Sequence, residues 1–242
     1  MKARALVPLK DLVEAKSRLS GLLSPAQRRA LAQAMVEDVL CVLADHPDIA
    51  SVTLVSDDPS AQMLATKYGS RHWLESALGC RGLNPVIDKS CELLLRENDH
   101  AIVVLHADLP CLTAADISEV LDTLDRQGGL VLGCDRHQKG TNLLAFDVAS
   151  KVEFSFGAGS CAAHLASADA RGIQVCRVHR PGIALDIDEP RDLALLLQHI
   201  ESGLGGHCSQ LFFGTALGSR IATQLASLDS GRHPTQQHRL KA

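Results

Sequence analysis

Short apolar segments alternate along this chain with longer segments of helical period, and that alternation constrains the fold more than any other feature. The clearest is Ala101-Ile-Val-Val-Leu105, an unbroken apolar run rich in β-branched residues, which marks a buried strand. Arg4–Leu9, Ser51–Ser56, Leu130–Gly133, Asn142–Phe146 and Ile173–Val178 read the same way. Arg71–Glu75 is a weaker strand and Ile183–Leu185 a strand tip. Between them, Ser24-Pro25 opens a helix that carries Leu31, Met35, Val39 and Leu43 at i, i+4 spacing to about His46. Asp57-Asp58-Pro59 caps a second helix through about Tyr68, and Asn84-Pro85 opens a third to about Asn98. Thr113 caps a fourth with Ile117, Val120, Leu121 and Leu124 inward, and Ser160–Arg171 and Glu189–Ser202 are helical. The order predicts an α/β fold: a single Rossmann-like domain, its sheet mostly parallel, with helices on both faces.

At Ser202 the pattern stops. Gly203, Gly205, Gly206, Gly214, Gly218 and Gly231 interrupt the remaining segment, and the end from His233 is polar. The chain therefore divides into a core, 1–202, and an extension, 203–242. The extension is expected to hold one short amphipathic helix within 210–228 and a disordered end.

Composition excludes several functions. Aromatic residues are 3% and the net charge is −4, so neither stacking platforms nor a basic footprint for nucleic acid is present. No apolar run reaches the roughly 18 residues of a membrane span, and the N-terminal run is shorter than a secretory h-region. Eight scattered cysteines without a CxxC pair read as reduced thiols. A cytoplasmic protein that binds neither membrane nor nucleic acid is expected.

In open parallel sheets ligands bind beyond the carboxyl ends of strands, so the loops there carry the chemistry. The first loop holds Lys10, Lys16 and Arg18. These are either a clamp for a polyphosphate or a solvated charged loop, and no GxxxxGK[ST] pattern is present. His106-Ala-Asp108-Leu-Pro110 ends the strongest strand. Asp108 there is a metal ligand or a helix cap, and His106 a second ligand or a hydrogen-bonding histidine. Asp186 and Asp188, at i, i+2 on the expected strand tip, point the same way, and their repulsion is naturally relieved by a hard divalent cation such as Mg²⁺. With Asp108 they bracket one or two such ions. Phe156-Gly-Ala-Gly-Ser160 is a glycine-rich turn feeding a helix, whose amides suit an anion. Its match to a dinucleotide fingerprint lacks the preceding strand and the following acid.

The ordered set VPLKDLVEAKSRLSGLLS, GLN (82–84), ADLP (107–110), DRHQKGTNLL (from Asp135), FGAGS (156–160) and LDIDEPRDL (from Leu185) resembles the 2-phospho-L-lactate or phosphoenolpyruvate guanylyltransferases of coenzyme F420 biosynthesis. The resemblance runs from residue 3 to about residue 200. It implies a MobA-like, GT-A-like nucleotidyltransferase fold, a homodimer, and transfer of GMP from GTP to a phosphorylated small acid. The acid would be 2-phospho-L-lactate, phosphoenolpyruvate or 3-phospho-D-glycerate, with release of pyrophosphate and hand-over of the product to a downstream transferase. It implies that Asp108, Asp186 and Asp188 hold Mg²⁺ and that Thr141, Gly157 and Ser160 hold the acid. It implies that Lys10, Lys16 and Arg18 face the triphosphate as catalytic cations and that Asn84 lies near the nucleoside. The alternative within the superfamily is a nucleotidyltransferase acting on a sugar phosphate or the molybdenum cofactor. Its first loop would be glycine-rich, and here that loop holds only Gly21.

Overall fold

The computed structural model describes residues 2–12, 15–97 and 101–230. Seven strands form one sheet: β1 (Ala3–Pro8), β2 (Ile49–Val55), β3 (Arg71–Trp73), β4 (Ala101–Leu105), β5 (Leu130–Cys134), β6 (Thr141–Phe146) and β7 (Val175–Val178). Their order is β3-β2-β1-β4-β6-β5-β7. β6 runs antiparallel to both neighbours and the other pairings are parallel. The helices are α1 (Pro25–Asp45), α2 (Ala61–Lys67), α3 (Leu83–Glu97), α4 (Ala114–Gln127), α5 (Ser160–Asp169), α6 (Pro181–Ala184), α7 (Pro190–Glu201), α8 (Gly206–Phe213) and α9 (Leu217–Ser230).

Two apolar layers sandwich the sheet, which explains why β4 is apolar throughout. Val103 and Leu105 join Leu31, Met35, Ile117, Leu121, Leu193 and Phe212 on one face. Ile102 and Val104 join Val86, Ile87, Leu132, Phe146 and Phe154 on the other. The sequence signals place the helix starts. Ser24 and Gln27 close a reciprocal cap on α1, and Thr113 and Asp116 close one on α4.

Three expectations are corrected. Ile183–Leu185 is not a strand tip: Ile183 and Ala184 lie in α6, and both donate to the Arg180 carbonyl. A three-residue apolar run has no period to separate a strand from a helical turn, and Pro181 pre-sets the helical one. α2 begins at Ala61 with Ser60 at its N-cap, and Asp58 turns the chain ahead of it by accepting from the Ser60 amide rather than sitting at the cap itself. After residue 202 two helices form, where one was expected. Asp38 of α1 accepts from the His207 amide (2.6 Å) and the Cys208 amide (3.1 Å), capping α8 from outside. Phe212 and Ile221 are fully buried. The polar end beyond residue 230, the end of the third helix at Asn98, and Val13 and Glu14 of the first loop lie outside the described residues. Among the described residues no helix is long and apolar enough to cross a membrane.

Candidate active site

Because β4 is flanked by parallel β1 and antiparallel β6, its carboxyl end meets the end of β1 on one side and the start of β6 on the other. The motifs singled out in the sequence gather along this edge. A cavity of about 820 Å³ opens there, lined by apolar Leu9, Leu12, Met35, Leu83 and Val86 and by Lys10, Lys16, Asp58, His106, Asp108 and Asp188.

The loop after β1 is pinned by Asp58, whose place in the sequence suggests only a helix cap. Buried at the end of β2, it accepts from the Leu12 amide (2.8 Å) and the Ser60 amide (2.7 Å). Burial alone would raise its pKa, but these hydrogen bonds outweigh burial and hold it below the carboxylate norm. A contact 46 residues apart in sequence leaves no local pattern.

The three cations of that loop part company. Lys16 turns inward, its ammonium 2.5 Å from Asp108 Oδ2 and 2.8 Å from Asp188 Oδ1. Burial works against its charge, yet the two carboxylates outweigh burial and raise its pKa. Lys10 stands exposed at the cavity wall. Arg18 is exposed outside the cavity lining, 3.5 Å from Glu189. The three do not converge on one point.

Asp186 and Asp188 follow α6 in irregular chain rather than in a strand, and they take different partners. Asp188 meets Lys16. Asp186 accepts from the Asn142 carboxamide (3.3 Å), which also donates to the Ile183 carbonyl (2.9 Å). Burial raises the pKa of Asp186, and the charges of Asp108 and Asp188 add to it, so the three acids share one field. Burial works upward on Asp108 too, but Lys16 and His106 outweigh it and hold its pKa below normal.

The turn at 156–160 is braced on every side. Ser160 Oγ accepts from the Thr141 amide (2.7 Å), joining the start of α5 to the start of β6. His164, one turn into α5, bonds Thr141 Oγ1 (3.0 Å) and accepts from the Ser155 amide (2.9 Å). Burial depresses its pKa to about 4, with the charge of His106 a second cause. Asn84, expected near the nucleoside, spends its carboxamide on Phe156, donating to the carbonyl (3.1 Å) and accepting from the amide (2.7 Å). Asp135 closes the neighbouring hairpin by accepting from the Lys139 and Gly140 amides. Gly157 has φ 130° and Gly159 φ 74°, conformations that exclude other residues at little strain, and the space beside Gly157 is open. The turn is thus held in place at a helix start with open space beside Gly157 and Gly159, while the amides of Phe156, Ser160 and Cys161 are taken by Asn84, the Gly157 carbonyl and the Lys139 carbonyl. His106 links the two sides: its ring lies 5.4 Å from that of Phe156, and Nδ1 is 4.0 Å from Asp108 Oδ1.

The donor chemistry of Asp108, Asp186 and Asp188 fits a hard divalent cation. All three offer oxygen, and Asp108 Oδ1 is buried without a hydrogen-bond partner. Among the described residues no three acidic, histidine or cysteine side chains are drawn close enough to hold a metal as they stand. Lys16 lies between two of the acids instead.

Comparison with known proteins bears on these features. Residues 3–210 match the family model described as guanylyl transferase CofC like. The chain is 36% identical over 203 residues to the phosphoenolpyruvate guanylyltransferase of Sphaerobacter thermophilus, covering 84% of this chain and 96% of that one. It is 35% identical over 193 residues to the 3-phospho-D-glycerate guanylyltransferase of Phenylobacterium zucineum, covering 78% and 87%. In fold it is similar to a cytidylyltransferase from Leptospira borgpetersenii, with a TM-score of 0.55 at 13% identity over 98% of this chain and all of that one.

Proposed function

Since the chain belongs to the CofC-like guanylyltransferase family, we propose that it transfers GMP from GTP to the phosphate of a small phosphorylated carboxylic acid, with release of pyrophosphate. The acid is phosphoenolpyruvate, 2-phospho-L-lactate or 3-phospho-D-glycerate. The observation that supports this reading is the braced turn at Gly157–Ser160, linked through His106, which lies against Phe156 and 4.0 Å from Asp108, to the carboxylates beyond β4. A nucleophile-activating triad is not needed. A phosphate monoester already carries about −1.5 to −2 charge near neutral pH, so it attacks without a general base, and the task is to bring two polyanions together.

In this reading the cavity takes the nucleotide, its apolar residues Leu9, Leu12 and Leu83 against the base. Lys10 and Lys16 meet the phosphates from the cavity wall, and Arg18 approaches from the rim. The backbone of Gly157–Gly159, beside which space is open, takes the acid's carboxylate, and Thr141 and Ser160 fix that turn on β6. Asp108, Asp186 and Asp188 would hold Mg²⁺, which when bound supplies charge neutralisation between the two anions and on the leaving pyrophosphate. A place in coenzyme F420 biosynthesis, a homodimer and hand-over of the product to a downstream transferase belong to the same proposal.

The test is to incubate the protein with GTP, Mg²⁺ and each of the three acids and to measure pyrophosphate. Release with at least one acid is expected. Silence with all three, with release on a sugar phosphate, overturns the reading.

A further inference from the structure

Lys16 stands where a bound cation would stand. Its ammonium bridges Asp108 and Asp188, and its side chain is only 9% exposed. Those are two of the three acids assigned above to the divalent cation, so a role for the lysine in metal binding rests on that part of the functional reading. An ammonium and a divalent cation cannot share the space between the same two carboxylates, because at such distances their repulsion is large.

Two further observations mark the lysine's position as provisional. The backbone of Lys16 lies in the left-handed region, with φ 57° and ψ 38°. A non-glycine residue stays there only where its surroundings hold it; here its carbonyl accepts from the Leu19 amide (2.9 Å) and its ammonium is held by the two carboxylates. In addition, Asp108 Oδ1 is buried without a hydrogen-bond partner, His106 Nδ1 standing 4.0 Å away, so the lysine satisfies only part of what this carboxylate can accept.

We propose that Lys16 is an exchangeable internal cation. It neutralises Asp108 and Asp188 until a divalent cation takes that position, and it then moves to the phosphates of the nucleotide in the adjoining cavity, which it also lines. Metal and nucleotide then bind with positive coupling: displacement of the lysine is costly alone and is offset when phosphate oxygens receive it.

The experiment uses Mn²⁺ alone as the probe, with free Mn²⁺ read by electron paramagnetic resonance in the full chain. Without nucleotide, Lys16→Met is expected to bind Mn²⁺ at least about tenfold more tightly than wild type, because the competing cation is gone. In wild type, a GTP analogue with a methylene α,β-bridge is expected to tighten Mn²⁺ binding by a similar factor, and in Lys16→Met by much less. A second measurement needs no variant: acetylation of wild-type Lys16 by acetic anhydride, followed by mass spectrometry, is expected to rise severalfold when Mn²⁺ is added.

Equal or weaker Mn²⁺ binding by Lys16→Met overturns the proposal, as does a Lys16 that stays protected while Mn²⁺ is bound. If Asp188→Asn binds Mn²⁺ as well as wild type, the metal assignment and this inference fall together. If no acid releases pyrophosphate while Mn²⁺ still displaces Lys16, the exchange stands and the guanylyltransferase reading falls.

Discussion

On the β6 side of the site, the turn at 156–160 is tied to Thr141, to Asn84 and through Ser155 to His164. On the β1 side, the loop is anchored at Leu12 by Asp58, while its cations stand exposed at Lys10, loosely paired at Arg18 and borrowed by carboxylates at Lys16. The contrast follows what each side would bind. A small acid with few rotatable bonds is best met by groups already in place, whereas a triphosphate with a counter-ion arrives as a charge to be redistributed. One half of the site is therefore finished before any ligand arrives, and the other is finished by its ligands.

Four results would break or sharpen this contrast, taken from the largest expected effect to the smallest. Asp108→Asn removes the carboxylate where the two halves meet. Its kcat should fall by about three orders of magnitude, with an unchanged circular dichroism spectrum; a tenfold fall or less would mean that Asp108 serves folding alone. Next, the braces should act on different substrates. Asn84→Ala should raise KM for the acid about tenfold and leave KM for GTP alone, and Asp58→Asn should do the reverse, since each loses about one or two buried hydrogen bonds. Both KM values moving together in steady-state assays would erase the distinction between the halves.

The third result concerns pH. His164 has a pKa of about 4, below its usual 6.5. The unfolded chain therefore takes up a proton between those values and the folded chain does not. Stability is full above about pH 6.5 and falls as the pH drops towards 4, by about 1–2 kcal/mol between pH 7 and pH 5. Urea midpoints at the two pH values, in wild type and His164→Asn, check this: the variant should lose most of the dependence. Smallest is Asp186→Asn. Burial and two neighbouring acids raise the Asp186 pKa, so its charge is a burden near neutral pH. Removing that charge should stabilise the metal-free protein by about 0.5–1 kcal/mol while activity is lost. A lower thermal midpoint would show that the Asn142 contact outweighs the repulsion.

Much of this is legible in the sequence. The apolar run of β4 announces a strand buried on both faces, Ser24-Pro25 and Thr113 announce helix starts, and the acids at 108, 186 and 188 do meet at one edge. Direction and distance escape it. Thr141–Phe146 is buried on both faces, so its side-chain pattern carries no sign of the reversal that sets Thr141 beside the end of β4. Asp58 reads through its neighbours as a cap, and the family resemblance places Asn84 near the nucleoside. Their partners, Leu12 and Phe156, lie 46 and 72 residues away. Three clustered cations suggest a clamp, but the turn between Lys16 and Leu19 sends Lys16 inward and Arg18 out.

Asp38 has a consequence in time. It lies in the first helix, yet the amides that meet its carboxylate belong to residues 169 and 170 positions later. At about 5–20 residues per second of synthesis, those amides follow after roughly 8–34 s. Throughout that interval the face of α1 that α8 will cover carries an acid whose partners do not yet exist. The helix that starts the domain is among the last parts to be closed, and the growing chain must stay soluble with that face open.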